Sequence, residues 1–261
     1  MRDDNRLHDR IKIGMVILLL ALAYLLPGLG LRITKDRLQT RQDIKGSGTE
    51  AARTEEPQET ASRGIILVDP GHGGRDPGMI GVDGLEEKGI NLEIAQKLQR
   101  LLEEEGYEAV LTRQPDAGLY EENAANKKAQ DLKRRCQMIE ELEPLVTVSI
   151  HQNSYQDPSV QGPQGFYYRD SREGKKLAEA IQEQMNEALQ VASPRQRKAN
   201  DEYYILKHSP GTAVLVECSF LSSPEEAAKI QTEEYQKAAA RAICDGILLY
   251  LEEENPVQDN A

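Results

Sequence analysis

Two histidines and one glutamate follow stretches of the chain that have the character of buried strands. His72 lies in a glycine-rich loop after the aliphatic run 65–68, and His151 comes directly after the β-branched run 145–150. Glu217 ends the apolar run Ala-Val-Leu-Val, where a carboxylate is expensive to remove from water unless it has a partner or a task. Because the carboxyl ends of parallel strands meet at one edge of a sheet, we expect these three side chains to converge.

Such a set of side chains is suited to metal-dependent hydrolysis. Two imidazoles and one carboxylate make a three-ligand zinc site with a fourth position open for water. A further carboxylate could act as general base on that water. Glu86 and Glu87, just before the first predicted helix, supply additional carboxylates. From spacing alone, either one is equally a solvated residue of the first helical turn, and Glu217 could instead belong to a structural ion pair.

Other kinds of site fit the same residues less well. The loop 71–78 has the glycines of a phosphate-binding loop, but it lacks the GK[ST] ending of that motif. Cys218 would point to the opposite side of the strand from Glu217, which makes a Cys–His nucleophile the weaker enzyme hypothesis. His208, in the turn-like stretch LKHSPG, is interpreted as a surface residue.

Strand and helix patterns alternate through this part of the chain. Short β-branched runs predict strands, and apolar residues at helical spacing predict helices. In chain order these are strand 65–68, helix 91–105, strand 107–112, helix 131–142, strands 145–150 and 165–168, helix 174–190, strand 213–216 and helix 231–251. The alternation predicts an α/β fold, with a mostly parallel twisted sheet of about six strands and helices on both faces.

The chain ahead of this globular domain begins with an apolar segment. Residues 13–31 form an almost unbroken apolar run, close to the roughly 20 residues that span a bilayer. Without a convincing small-x-small cleavage motif, this run predicts a membrane helix that acts as an uncleaved signal anchor, in preference to a cleaved signal peptide or a buried helix. We interpret residues 1–12 as a tail, 32–62 as a flexible linker, 63–254 as the globular domain that carries the candidate site and 255–261 as a second tail.

Composition narrows the possible partners. The chain of 261 residues has a formal net charge of −12 and no basic face rich in aromatic residues, which argues against nucleic acid. Its three cysteines are odd in number and form no CxxC pair, which argues against a disulfide framework. The length suits one domain with appendages.

Four motifs together resemble a known family. VDPGHGGRDPG, EKGINLEIA, LKRRCQMIEELEPLVTVSIHQNS and AVLVECSFLSSPEE occur in this order, and they resemble the zinc-dependent N-acetylmuramoyl-L-alanine amidases of the amidase_3 type, bacterial cell-wall hydrolases, over residues 65–251. The resemblance implies zinc ligands at His72, Glu87 and His151, with Glu217 as the catalytic carboxylate. The second glutamate of the EE pair is the one in the family's acidic position.

The resemblance also implies roles for three further residues. Asn153 stands where some relatives carry an aspartate close to the metal, so it is expected either to bind the metal weakly or only to line the site. Asp69 is expected to orient His72 as a hydrogen-bond acceptor, and Arg135 matches a recurrent arginine whose role the motif leaves unassigned. Three positions depart from the family's usual residues without removing a ligand or the catalytic acid, so we expect an active enzyme; they are Gly89, Glu140 and Ser219.

The implied reaction is hydrolysis of the amide between N-acetylmuramic acid and L-alanine in peptidoglycan. The small anchored form, without wall-binding repeats or an inserted regulatory helix, is similar to the spore-cortex amidases; a vegetative enzyme of daughter-cell separation is the alternative. Two other functions stay open, a zinc peptidase that cuts within the stem peptide and a non-catalytic wall-binding protein. Basic residues flank 13–31 on both sides, so the extracytoplasmic, wall-facing orientation rests on the resemblance. Whether an activating protein partner is needed is left open.

Overall fold

The computed structural model describes residues 62–254. Its elements are β1 (Ile65–Pro70), α1 (Glu87–Glu104), β2 (Glu108–Leu111), α2 (Lys127–Leu142), β3 (Val146–Asn153), β4 (Gln164–Tyr168), α3 (Arg172–Ala188), β5 (Lys198–Asn200), α4 (Tyr204–His208), β6 (Ala213–Phe220), α5 (Pro224–Ile230) and α6 (Glu233–Glu254). No helix within this range is long and apolar enough to cross a membrane. The predicted anchor 13–31, both tails and nearly all of the linker lie outside the described residues.

The six strands form one sheet in the order β2-β1-β3-β6-β4-β5. β1 pairs in parallel with β2 and β3, and β3 pairs in parallel with β6. β4 is antiparallel to β6, and β5 is parallel to β4. The predicted α/β fold with a mostly parallel six-stranded sheet is therefore confirmed, with one direction reversal between β6 and β4.

Helices cover both faces of the sheet because the central strands are apolar on both sides. Ile66 and Val68 of β1 pack into a large core with residues of α1, α3 and α6. Leu67 points to the opposite face, where it belongs to a smaller core with Ile139 of α2 and Ile205 of α4. The sheet that carries the candidate site residues at the ends of its strands is thus packed against helices on both faces.

Some elements begin or end elsewhere than the sequence pattern predicts. α1 begins at Glu87, four residues before the predicted start at 91. The prediction began too late because Gly89 interrupts the apolar pattern, although it does not break the helix. β6 continues to Phe220 beyond the predicted end at 216, so Glu217 lies on the strand itself. β5, α4 and α5 are too short to produce a readable periodicity, and the sequence did not predict them.

Candidate active site

Three adjacent strands and one helix bring the candidate side chains together. His72 follows β1, His151 lies on β3 and Glu217 lies on β6, and these strands are neighbours in the sheet. His151 and Glu217 are direct partners in the β3–β6 register. Glu87 is the first residue of α1. The convergence at one sheet edge that the sequence predicts is therefore present.

His72, Glu87 and His151 form a compact cluster. Nε2 of His72 lies 3.2 Å from Oε2 of Glu87, and Nδ1 of His151 lies 2.9 Å from Oε1 of the same carboxylate. The two imidazole rings meet edge to face with their centroids 4.9 Å apart. One ligand atom from each residue lies within 4.8 Å of the others, a separation that one metal ion with bonds of about 2 Å can bridge.

The carboxylate of Glu87 is held in place before any ion binds. The main-chain N–H groups of Met79 and Gln152 donate to its two oxygens at 2.7 and 3.0 Å, and the side-chain amide of Asn91 donates at 3.1 Å. Glu86, the other candidate of the pair, is half exposed and pairs with a lysine. Only the second glutamate therefore belongs to the cluster.

The charges of the cluster suit a cation. Burial of Glu87 would raise its pKa, but hydrogen bonds and charge from His151 and His72 hold that pKa well below its ordinary value. Burial would likewise lower the pKa of His72, but the hydrogen bonds and negative charges of Asp76 and Glu87 raise it to about 9. An ionised carboxylate between two imidazoles is a donor set that a divalent ion can occupy.

Two glycines of the loop permit its close approach to the cluster. A Cβ atom on Gly71 would lie 2.3 Å from the ring of His151. A Cβ atom on Gly78 would lie 2.4 Å from Oε2 of Glu87 and 2.7 Å from Cδ2 of His72, and the φ of Gly78 is 72°. Any larger residue at either position would displace a side chain of the cluster. The glycines of this loop thus serve close packing around the cluster.

Asp76 is the acceptor for the second ring nitrogen of His72. Its Oδ2 lies 3.0 Å from Nδ1 of that ring, and this hydrogen bond is the largest contribution to a pKa of about 2 for Asp76. The prediction that Asp69 orients His72 is wrong. Asp69 lies within β1, and its buried carboxylate accepts hydrogen bonds from Thr112 just after β2, from Ser149 of β3 and from Arg135 of α2.

Two buried arginines hold the main chain of the His72 loop. Arg135, from α2, donates to the carbonyl oxygens of Pro70 at 2.9 Å and His72 at 2.7 Å. Arg113, just after β2, donates to Pro70 and Gly71 at 3.0 Å each. The two guanidinium groups therefore fix the loop through its backbone. Sequence reasoning singled out Arg135 without a role and missed Arg113, although its position at the end of a strand beside β1 was a usable signal.

Glu217 is buried and partly unpaired. Tyr203 donates its hydroxyl proton to Oε1 at 3.2 Å, while Oε2 has no hydrogen-bond partner among residues 62–254. Burial and the charge of Glu87 raise the pKa of Glu217 to about 7, against the opposing influence of His151 and the tyrosine hydroxyl. The partner is a hydroxyl and not the cation of a structural ion pair. A carboxyl group in this state can accept and return a proton.

The remaining predicted residues lie around this centre. Asn153 ends β3 and lines a pocket together with Tyr203, outside the three-residue cluster. Cys218 is buried in the larger core, so it points away from Glu217 as its strand position predicts. His208 ends α4 and is exposed. Tyr203 was missed because it precedes a helix of five residues that no sequence pattern indicated.

Comparisons with known proteins agree with one another. The family model described as N-acetylmuramoyl-L-alanine amidase, Amidase_3, matches residues 66–248. The germination-specific N-acetylmuramoyl-L-alanine amidase of Bacillus subtilis is 35% identical over 192 residues, which is 72% of this chain and 80% of that protein. N-acetylmuramoyl-L-alanine amidase LytC of the same organism is 32% identical over 187 residues, 71% of this chain and 35% of LytC.

Solved structures show the same relationship. The CwlD amidase from Clostridioides difficile, in complex with the GerS lipoprotein, is 37% identical with a TM-score of 0.71, over 73% of this chain and 99% of that one. The catalytic domain of CwlV from Bacillus (Paenibacillus) polymyxa is 30% identical with a TM-score of 0.64, over 72% and 98% of the two chains.

Proposed function

The chain belongs to the Amidase_3 family of N-acetylmuramoyl-L-alanine amidases, and on that premise we propose how its residues carry out the reaction. It hydrolyses the amide bond between the lactyl group of N-acetylmuramic acid and L-alanine in peptidoglycan. His72, Glu87 and His151 hold a zinc ion, and Glu217 is the catalytic carboxylate. The observation that carries this proposal is the cluster of three ligands with Glu217 directly across the strand pair from His151.

The ligand residues fit zinc in number and type. Two imidazoles and one carboxylate are a common set for catalytic zinc, which needs a fourth position for water or substrate. When bound, zinc polarises a carbonyl group and makes a water molecule more acidic. With the proton of His72 held on Nδ1, where Asp76 accepts it, Nε2 could give up its own proton and ligate an ion held between the ring and Glu87. Arg113 and Arg135 keep the loop that carries His72 in place.

Glu217 moves the proton of the reaction. Its Oε2 has no partner among the described residues, so it is the oxygen available to take a proton from the attacking water. The same carboxyl group then returns the proton to the nitrogen of the departing L-alanine. Tyr203 occupies the other oxygen and so fixes the direction in which the carboxyl group acts. The free stem peptide and the bare lactyl carboxylate are the products.

A product analysis tests the reaction. Peptidoglycan is incubated with the full-length protein, and the soluble products are identified by mass spectrometry. Stem peptides with a free N-terminal L-alanine are the expected product. A cut elsewhere in the stem would identify a zinc peptidase, and the absence of any product from zinc-loaded protein would favour the non-catalytic, wall-binding alternative.

The likeness to spore enzymes supports a place in spore-cortex peptidoglycan. The match with the relative named for germination extends over 80% of that protein, and the match with the CwlD structure extends over 99% of that chain. In a deletion strain we expect cortex glycan that retains its stem peptides, with normal vegetative separation. Chains of unseparated vegetative cells with normal cortex would instead identify the vegetative alternative.

Position and partner complete the proposal. Residues 13–31 anchor the chain, 32–62 tether it, and the catalytic domain 63–254 faces the wall, ahead of a short tail 255–261. Because the CwlD structure contains a lipoprotein, a membrane-attached protein partner is proposed here also. Protease protection of intact and permeabilised cells tests the orientation, and affinity capture of the full-length protein from sporulating cells tests the partner.

A further inference from the structure

A pocket of about 490 Å³ lies beside the catalytic carboxylate. Tyr203 lines this pocket and donates to Oε1 of Glu217, so the pocket and the reacting centre share a wall. Gln164, another lining residue, is the direct partner of Glu217 in the antiparallel β4–β6 register. Neighbouring strands lie about 4.8 Å apart. The pocket therefore begins one strand away from the group that moves the proton.

The lining of this pocket is positive in an otherwise acidic protein. Arg195 and Lys198 line it, and no aspartate or glutamate does, although the chain has a net charge of −12. Neither cation forms an ion pair within residues 62–254. By contrast, Arg169 and Arg197, on the same edge of the sheet, are paired with Asp201 and Glu179. The two cations that line the pocket are thus without an ion-pair partner among the described residues.

Arg195 is held ready for a ligand. One of its terminal nitrogens donates to Oε1 of Gln164 at 3.0 Å, and its guanidinium lies 5.1 Å from the centre of the Phe220 ring. Its Nε is buried and has no hydrogen-bond partner in the described part of the chain. A guanidinium fixed in this way loses little freedom when its remaining terminal N–H groups bind a carboxylate.

We infer that this pocket binds the stem peptide on the leaving side of the scissile bond, and that Arg195 and Lys198 receive a carboxylate of that peptide. The inference rests on the proposed function. The glycan side of the bond has no free charge, because the lactyl carboxyl group is consumed in the scissile amide. The peptide side carries free carboxylates, beginning with the α-carboxylate of the glutamate that follows L-alanine.

The reach of the peptide agrees with this placement. Two residues span at most about 7 Å, so the glutamate α-carboxylate lies within that distance of the scissile nitrogen. Arg195 is one hydrogen bond away from Gln164, which stands directly across from Glu217. Tyr155, which is 60% exposed at the pocket, offers an apolar surface for the methylene groups of the same residue.

The experiment compares substrates that differ only in charge. One pair is the same glycan carrying L-alanyl-D-glutamate or its α-carboxamide. In the second pair the stem peptide has a third residue, and the two members differ only in whether the carboxylate of that residue is free or amidated. We expect the full-length enzyme to show a kcat/KM about tenfold higher for the free acid in at least one pair. The pair in which the preference first occurs identifies which carboxylate is bound.

Variants assign that preference to the pocket. In the double variant Arg195→Gln/Lys198→Gln the ratio of the two kcat/KM values is expected to fall to about one. The matched control Arg169→Gln removes an arginine from the same sheet edge outside the pocket, and it should keep the ratio of the unmodified enzyme. Equal rates on both members of both pairs, or a ratio that survives in the double variant, would overturn the inference.

A binding measurement separates this inference from the reaction itself. The free dipeptide L-alanyl-D-glutamate and its α-carboxamide are titrated into full-length Glu217→Gln protein, and binding is measured by calorimetry. Stronger binding of the acid, lost in the triple variant with Arg195→Gln and Lys198→Gln, supports the pocket even if the amidase proposal fails. Equal affinity for acid and amide refutes the pocket even if the enzyme releases L-alanine peptides.

Discussion

The hydroxyl group of Tyr203 donates to Oε1 of Glu217 over 3.2 Å, and it is the hydrogen-bond partner of that carboxyl group among the described residues. Because the other oxygen, Oε2, has none, the tyrosine distinguishes the two oxygens of one side chain. One is fixed and one is free to exchange protons. The contact links a central strand to the short segment that precedes α4, which the sequence pattern did not reveal.

Replacing this tyrosine should slow the chemical step. Tyr203→Phe keeps the ring, which packs edge to face on Phe166, and removes only the hydroxyl group. A lost hydrogen bond of about 1 kcal/mol corresponds to a roughly fivefold lower kcat, with a smaller change in KM. Steady-state kinetics measure both. Tyr204→Phe is the control, since that ring packs on His208. An unchanged kcat in Tyr203→Phe would remove the tyrosine from the mechanism.

Replacing Glu217, the proposed catalytic carboxylate, is expected to slow hydrolysis strongly and to leave zinc binding unchanged. In Glu217→Gln the proton acceptor is lost, and the rate of peptide release is expected to fall by about 10²-fold or more. Zinc content, measured by atomic emission on the purified protein, should match the unmodified protein, because Glu217 lies outside the ligand cluster. Wall hydrolysis at the normal rate would show that another group moves the proton.

Removing a ligand should have the opposite signature. In His72→Ala the cluster keeps one imidazole, so both zinc content and activity are expected to fall sharply. Zinc added to chelated, unmodified protein should raise the melting temperature, since an ion that binds only the folded state stabilises it. The rise should be absent in His72→Ala and present in His208→Ala, which changes an exposed histidine. Equal zinc in His72→Ala and unmodified protein would refute the ligand assignment.

Replacing each of two glycines with alanine should have different effects, a loss of zinc affinity at one position and a gain in helix stability at the other. Gly71→Ala places a Cβ atom 2.3 Å from the ring of His151, so zinc affinity should fall. Gly89→Ala places a Cβ atom in open space inside α1, and alanine should stabilise that helix by about 0.5–1 kcal/mol. Competition with a fluorescent zinc chelator and urea unfolding measure the two effects. Normal zinc affinity in Gly71→Ala would contradict the close approach of the loop.

The buried ion pair between Asp69 and Arg135 should make a large contribution to the free energy of unfolding. Burial would raise the pKa of Asp69, but the charge of Arg135 and three hydrogen bonds lower it below 3.8. The carboxylate therefore contributes stability above pH 3.8, which is lost as the pH falls towards the lower folded value. Arg135→Met leaves that charge buried and unpaired, at a cost of about 3–5 kcal/mol at pH 7.

The pH dependence of this variant provides a second test. Without the charge of Arg135, which is the main influence that opposes burial, we expect the pKa of Asp69 in the folded state to rise above its unfolded value. Protonation then favours the folded state, so the destabilisation measured by urea unfolding should be smaller at pH 4.5 than at pH 7. A destabilisation that is equal at both values would show that Arg135 acts mainly through the loop carbonyls that it also contacts.

The sequence predicted that the central residues of the candidate site converge, because each of them follows a recognisable sequence pattern. His72, His151 and Glu217 come after buried apolar runs, and parallel strands deliver their ends to one edge. Glu87 could be separated from its neighbour only through the family motif, since both are acidic residues at a helix start.

The surroundings of the site could not be predicted in the same way. Asp76, Arg113 and Tyr203 reach it through loops or short segments, whose positions depend on tertiary packing and not on any periodic pattern. Asp69 was assigned the wrong partner because proximity in sequence to His72 says nothing of which way a strand residue points. The sequence likewise did not predict that β4 is antiparallel to β6, since the residue pattern of a five-residue strand does not depend on the direction of the strand in the sheet.

The order of the strands has a consequence for how such an enzyme can diversify. The proposed reaction centre lies on or next to β1, β3 and β6, whereas Arg195 and Lys198 come from β5 and the segment before it, at the outer edge of the sheet beyond β4. Because these two groups of residues lie on different strands, the inferred charge preference can change through β5 without altering the strands that carry the proposed centre.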